Sequence, residues 1–289
     1  MIQPIEARSI LSRLRGKDNF FGISYSMNLY RGCQHGCIYC DTRSECYGIV
    51  DISQLKVKKN ALELLGKEIS SKKQKGTVGT GSMNDPYMPV EKELEICRGA
   101  LKIIRDKHFP VHIITKSTLV TRDMDILQDI SKTYAAVSVT ITTSDNELSQ
   151  KIEPHAPKSS DRFQALKSLA EKGIYTGITL MPLLPFINDT QENLKCIFEK
   201  AKDSGISYII PMLGLTLRKG SREYFYGQLD NHFPGKRLLY ETTFGDRYEC
   251  NSPHYTSLAS TLNELSDQYK IPLYMRFFKP VINEQLSIF

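Results

Sequence analysis

No stretch of this chain approaches the roughly 18 consecutive apolar residues that a membrane span requires. The first eight residues, Met1-Ile2-Gln3-Pro4-Ile5-Glu6-Ala7-Arg8, lack the basic segment and the apolar run of about 7–15 residues that mark a secretory leader. Low-complexity stretches and internal repeats are also missing, so no linker sets off an independent second domain. Seven cysteines, an odd number unevenly spaced, do not form the framework of a disulfide-stapled secreted domain. These absences predict a protein of the reducing cytoplasm with no membrane partner. A basic recognition helix is absent too. The 38 Lys and Arg are mixed among 32 Asp and Glu, and the formal charge of +6 with a pI near 8.8 only mildly favours phosphate-bearing partners. The one basic cluster, Lys72-Lys73-Gln74-Lys75, reads as a solvated loop.

What is present is an alternation. With 289 residues, 40% of them hydrophobic, the chain can bury one large core. Apolar and polar residues alternate over 23–29 as in a half-buried strand that runs into the first cysteines. Helical spacing follows over 55–69, and a short strand over 77–81 ends in glycine. The stripe Leu94, Cys97, Leu101, Ile104 predicts a helix over 92–107, followed by an apolar strand over 111–115. Three more rounds come next: helix 123–131 with strand 136–141, helix 161–172 with strand 176–181, and a helix ending at Asp203 with strand 207–210. The last of these helices opens on an apparent capping box, Asp189 and Glu192. Six rounds of this kind give an α/β fold, an incomplete (β/α)6 parallel barrel. From Gly214 the alternation stops. The expected organisation is a partial barrel with its lead-in over residues 1–213 and a mainly helical C-terminal extension, packed on the barrel, over 214–289.

The loop after the first strand reads Gly32-Cys33-Gln34-His35-Gly36-Cys37-Ile38-Tyr39-Cys40-Asp41. Packing alone does not account for three thiols so close together. Iron–sulfur clusters are held by cysteine thiolates, and three protein ligands on a cubane leave one iron open. Gly32 and Gly36 give the backbone freedom to wrap such a group. Zinc is an alternative, with His35 or Cys46 as fourth ligand, although no second Cys-x2-Cys or His-x3-His pair exists. Cys46 would alternatively complete a four-cysteine electron-transfer cluster.

The Cys-x3-Cys-x2-Cys spacing, with aromatic Tyr39 before the last cysteine and a place after strand one of a six-unit barrel, resembles the radical S-adenosylmethionine (SAM) superfamily. Asn28-Leu29-Tyr30-Arg31-Gly32-Cys33, Asp85-Pro86-Tyr87-Met88-Pro89-Val90-Glu91, Ile114-Thr115-Lys116-Ser117, Glu153-Pro154-His155-Ala156-Pro157 and Pro185-Phe186-Ile187-Asn188-Asp189-Thr190 are similar to its spore photoproduct lyase-related, DNA repair photolyase-like branch. The resemblance implies a [4Fe–4S] cluster on Cys33, Cys37 and Cys40, with SAM on its open iron. It also implies reductive cleavage of SAM to a 5′-deoxyadenosyl radical that abstracts hydrogen from a substrate, and a low-potential donor of flavodoxin or ferredoxin type. One departure stands out. The lyases proper carry a hydrogen-donating cysteine at the end of strand two, where this chain has Gly79-Thr80-Gly81-Ser82. The substrate therefore stays unidentified, with nucleic acid among the classes allowed.

In a parallel barrel the site forms at the C-terminal ends of the strands. By that rule, and by the resemblance, Thr80, Gly81 and Ser82 meet the SAM amino group, and Lys116 and Arg162 its carboxylate. Ser138 and Thr140, two apart and so on one face, suit ribose hydroxyls. Met181 and Tyr39 suit the adenine. Asp85, Tyr87, Cys46 and Cys250 are the candidates for the substrate side, whereas Cys97 and Cys196 read as core residues. A second class of function from the same features is a non-catalytic iron–sulfur or zinc module that binds nucleic acid.

Overall fold

The computed structural model describes residues 2–81 and 83–280. Six parallel strands, Ile23–Met27, Thr77–Gly79, Val111–Thr115, Ala135–Thr140, Tyr175–Leu180 and Tyr208–Pro211, follow one another in chain order in a single sheet. Helices Ala61–Ser70, Ile96–Asp106, Met124–Ser131, Ser159–Glu171 and Gln191–Asp203 connect them, each burying one apolar stripe, as Cys97, Leu101 and Ile104 do. The chain thus adopts the α/β, mostly parallel fold that the alternation predicts. Leu11–Arg13 adds an antiparallel strand beside Ile23–Met27. The two ends of the sheet do not pair with each other, so the barrel is open on one side.

Departures from the expected elements have local causes. The segment over 55–69 is not one helix. Lys56–Lys58 pairs with Gln3–Ile5 and Tyr30–Arg31 in a small sheet, and the helix begins only at Ala61. The helix over 92–107 breaks at Glu95, whose φ is 49°, and Leu94 is left exposed. The buried Glu91 carboxylate explains the restart, because it accepts the Cys97 amide at 2.9 Å and so caps the helix Ile96–Asp106 from within. Helix Asn146–Ile152, unforeseen from periodicity, is capped by Asp145. Thr190, not Asp189, caps Gln191–Asp203; Asp189 instead accepts from Ser252 at 2.5 Å. Beyond residue 213, Gly214–Thr216 and Glu249–Asn251 form an antiparallel pair around helices Ser221–His232 and Lys236–Phe244. Helix Tyr255–Tyr269 packs on Gln191–Asp203.

The segment 271–278 crosses the open side of the barrel. Ile209 on the last strand donates its amide to Pro272 O at 3.0 Å. Arg276 is held at both backbone ends, its N–H donating to Tyr175 Oη at 2.8 Å and its carbonyl accepting from Tyr134 Oη at 2.6 Å. The Phe277 ring then lies against Gly22, just before the first strand, where a Cβ would come within 2.6 Å of it on a backbone at φ +63°. Gly22→Ala is expected to destabilise the protein by about 1–3 kcal/mol through backbone strain and displacement of that ring. Hydrogen exchange at the Ile209 amide should accelerate in the variant; unchanged exchange there contradicts a closing role for this segment.

Candidate active site

The cysteine loop contains little regular structure, so its backbone groups must be satisfied from elsewhere. Cys33 N–H donates to Ile52 O at 2.7 Å, and Gly32, at φ +93°, passes too close to that carbonyl for any side chain. Gln34 N–H reaches Met88 Sδ at 3.3 Å while Gln34 Oε1 accepts from Val90 N–H at 3.0 Å. On the other flank Ile38 N–H donates to Ile152 O at 3.0 Å, and His155 N–H to His35 O at 3.1 Å. The loop is therefore gripped between segment 84–91 and segment 152–157.

Two buried carboxylates fasten these grips. Asp85 accepts from Thr115 Oγ1 at 2.6 Å, from the Lys116 amide at 2.6 Å and from the Tyr87 amide at 2.9 Å, and His35 Nε2 lies 3.1 Å away. Burial alone would raise its pKa, but His35 and these donors together hold it down at about 2. Glu153 accepts from Tyr39 Oη and pairs with Arg162 at 2.5 Å. It too lies below the usual carboxylate range, because Arg162 and Lys116 outweigh the burial that opposes its charge.

Cys33, Cys37 and Cys40 share a cavity of about 390 Å³ with Tyr39, Gly81, Asp85, Lys116, Thr140 and Met181. Met212, Leu215 and Thr216, beyond the last barrel strand, complete one side of it, and no periodic signal marks them in the sequence. Burial pushes the Cys37 thiol well up and Cys33 to about 11. Lys116 projects a cation among these groups without a direct ion pair. Burial would lower its pKa, but Cys37, Glu153 and Asp85 raise it further than burial lowers it. No three His, Cys, Asp or Glu side chains among the described residues converge as ligands of one metal ion.

Several expected site residues lie elsewhere. Arg162 is fully buried behind the cavity; its Nη1 donates to Thr140 O at 2.9 Å and its Nε to Pro157 O at 2.7 Å. Ser138 sits deeper in the barrel, between His112 Nε2 at 2.7 Å and Tyr208 Oη at 2.8 Å. Tyr87 points into the protein and donates to Asp123 at 2.9 Å. Cys46 is exposed beside Arg218, and Cys250 is buried in the apolar cluster of the C-terminal strand pair. Thr80 is buried with its hydroxyl unpartnered, and Ser82 lies outside the described residues. Gly81 reaches the cavity, but its missing side chain serves the barrel: a Cβ there would meet Ile114 O at 2.3 Å. Glu153 and the buried role of His35 were not anticipated. The one trace of Glu153 in the sequence is its place at the head of Glu153-Pro154-His155-Ala156-Pro157.

Asp85→Asn tests the first grip. A pKa depressed from 3.8 to about 2 in the folded state stabilises by roughly 2 kcal/mol, fully present above about pH 4 and lost as pH falls toward 2. Urea unfolding at pH 7 should show a loss of that order in the variant, and the gap from wild type should narrow below pH 4. Equal stability at pH 7 contradicts the assignment.

Comparisons with known proteins bear on this geometry. The radical SAM superfamily profile matches residues 27–197. An uncharacterized protein of Methanocaldococcus jannaschii is 34% identical over 231 residues, which are 78% of this chain and 83% of that one. Among solved structures, spore photoproduct lyase complexed with dinucleoside spore photoproduct superposes with a TM-score of 0.69, covering 95% of this chain and 82% of its own at 16% identity. A mutant of that lyase with bound AdoMet and the dinucleoside spore photoproduct gives 0.67 over 89% and 79%, at 15% identity. At such identities the structural likeness speaks for the fold alone. The profile match and the archaeal relative decide the family: the chain belongs to the radical SAM superfamily, whose members use SAM and an iron–sulfur cluster.

Proposed function

We propose that the protein is an enzyme that holds a [4Fe–4S] cluster on Cys33, Cys37 and Cys40 and SAM in the adjoining cavity, to abstract hydrogen from a substrate at the cavity mouth. The observation that carries this reading is the joint exposure of three thiols and one unpaired cation, Lys116, to a single cavity of about 390 Å³. The donor chemistry fits both groups, with thiols suited to iron and a buried ammonium suited to a carboxylate. When bound, the pair supplies one-electron cleavage of SAM to methionine and a 5′-deoxyadenosyl radical.

The chain's own residues provide position and charge. Lys116 would take the methionyl carboxylate, and Thr140 a ribose hydroxyl. Met181 and Tyr39 would line the adenine site. The depth of Arg162 and Ser138 makes them positioning residues: Arg162 neutralises Glu153, which in turn anchors Tyr39 between two of the cysteines. Loading must release protons, because the thiols with raised pKa values bind iron as thiolates. Residues 1–213 would carry this chemistry, while 214–289 supplies Leu215 and Thr216 to the cavity wall.

Nucleic acid is the substrate class that the rim favours. Beside Asp41, Arg218 lies 4.9 Å from the Tyr248 ring centroid and bonds both Tyr248 Oη and Tyr47 Oη, and Arg43 stacks 3.7 Å over Tyr224. Guanidinium and aromatic faces of this kind accept stacked bases. Among the described cavity-lining residues only the three cluster cysteines carry thiols, so the hydrogen donor differs from the strand-two cysteine of the lyases proper.

The test is anaerobic reconstitution with iron and sulfide, followed by SAM and dithionite. Wild type should form 5′-deoxyadenosine and Cys37→Ala should form none. Lys116→Ala should raise the KM for SAM by roughly 10- to 100-fold, the equivalent of about 1.5–3 kcal/mol for a charge-assisted bond. No product above the Cys37→Ala control refutes the proposal.

A further inference from the structure

The wall that holds the cysteine loop has an outer face. Pro89, Lys92, Leu119, Pro154, His155 and Pro157 border a surface depression of about 460 Å³ there, and His35 lines both this depression and the cavity within. The His35 ring is wedged between them, Nε2 facing Asp85 at 3.1 Å and Nδ1 facing His155 O at 3.4 Å. Next to it, Gly36 at φ +69° lies so close to the exposed His155 ring that a Cβ would come within 2.9 Å of Cδ2. A single imidazole thus separates solvent from the backbone that bears Cys37.

The charge on this face is of one sign. No Asp or Glu lines the depression. Lys92 lines it, and Lys151 and Lys158 flank it next to Gln150 and Pro157; all three are exposed. None of the three makes an ion pair, whereas Lys59, Lys67, Lys132 and Lys219 each do. Three prolines and Leu119 give the depression a stiff apolar floor, and the free lysines give it a cationic rim. A rim of this kind steers an acidic partner to the surface.

Radical SAM enzymes take their electron from outside the chain, and electron tunnelling weakens steeply with distance. The thinnest cover over the cysteine loop is the shortest route in. We propose that this depression docks a small acidic electron-carrier protein, which passes one electron through the His155–Gly36 wall to the cluster on Cys33, Cys37 and Cys40. The carrier is oxidised by one electron, the cluster is reduced by one, and no bond forms or breaks. The proposal rests on the cluster reading above and leaves the cavity mouth, on the side of Asp41 and Thr216, free for substrate.

The test uses the full reconstituted chain with two donors in parallel: a flavodoxin kept reduced by NADPH and its reductase, and dithionite, which needs no docking. Calorimetric titration with oxidised flavodoxin at low and high ionic strength provides a readout independent of turnover. The triple variant Lys92→Glu, Lys151→Glu, Lys158→Glu should raise both the KM and the Kd for flavodoxin by about tenfold or more at low salt. Iron content and dithionite-driven 5′-deoxyadenosine formation should stay at wild-type levels. A matched variant with Lys102→Glu, Lys195→Glu and Lys202→Glu, on exposed faces of other helices, should behave as wild type in every arm. Unchanged flavodoxin KM and Kd in the first variant overturn the docking surface while leaving the cluster reading intact, as does an equal loss in both variants. Failure of the dithionite arm in wild type refutes the cluster reading and the docking proposal with it.

Discussion

Three thiols facing one cavity need a loop that turns back on itself, and such a loop cannot pair its own backbone groups. Every buried amide and carbonyl it leaves open needs a partner elsewhere, at a penalty of roughly 1–3 kcal/mol for each one unmet. The partners come from Ile52, Met88, Ile152 and His155, on segments that the barrel has already fixed at its strand ends. The cysteines are thereby positioned before any ligand binds. Their geometry follows from the surrounding barrel rather than from the loop's own conformational preference.

The same constraint explains the charge distribution. Fastening the loop takes strong acceptors, and a buried carboxylate is stable only when its charge is answered. Asp85 is answered by His35, Thr115 and the Lys116 amide, and Glu153 by Arg162 and Tyr39. Lys116 stands between the two, with Cys37 also acting on it, and stays charged despite its depth. A cation so placed has no committed partner, which leaves it available to a ligand carboxylate. Behind this layer, Glu91 links Tyr30, Arg122 and the start of helix Ile96–Asp106, so the segment Asp85–Glu91 holds the loop at one end and the barrel at the other.

The barrel was legible because its strands are short, β-branched and evenly separated by amphipathic helices, so strand 111–115 is found where periodicity puts it. The three cysteines were legible through spacing alone. Arg162 was misread because a cation near a strand end looks the same whether it faces a ligand or a buried carboxylate, and Glu153 is distant from it in no way that spacing reveals. Tyr87 was misread for a similar reason: its loop borders the cavity, but its side chain turns away to Asp123. The break at Glu95 depends on a cap supplied by Glu91, a tertiary hydrogen bond without a periodic signature. Met212, Leu215 and Thr216 belong to an aperiodic stretch whose direction only the neighbouring strand pair sets.

The central claim is that Cys33, Cys37 and Cys40 hold a cubane whose open iron meets SAM in this cavity. Electron paramagnetic resonance of the reconstituted, dithionite-reduced protein tests it most directly. The account predicts a signal from a reduced [4Fe–4S] cluster that changes in shape and g-values when SAM is added, and that disappears in Cys33→Ala, Cys37→Ala and Cys40→Ala alike. A cluster signal unmoved by SAM, or one that survives loss of any of the three cysteines, contradicts it.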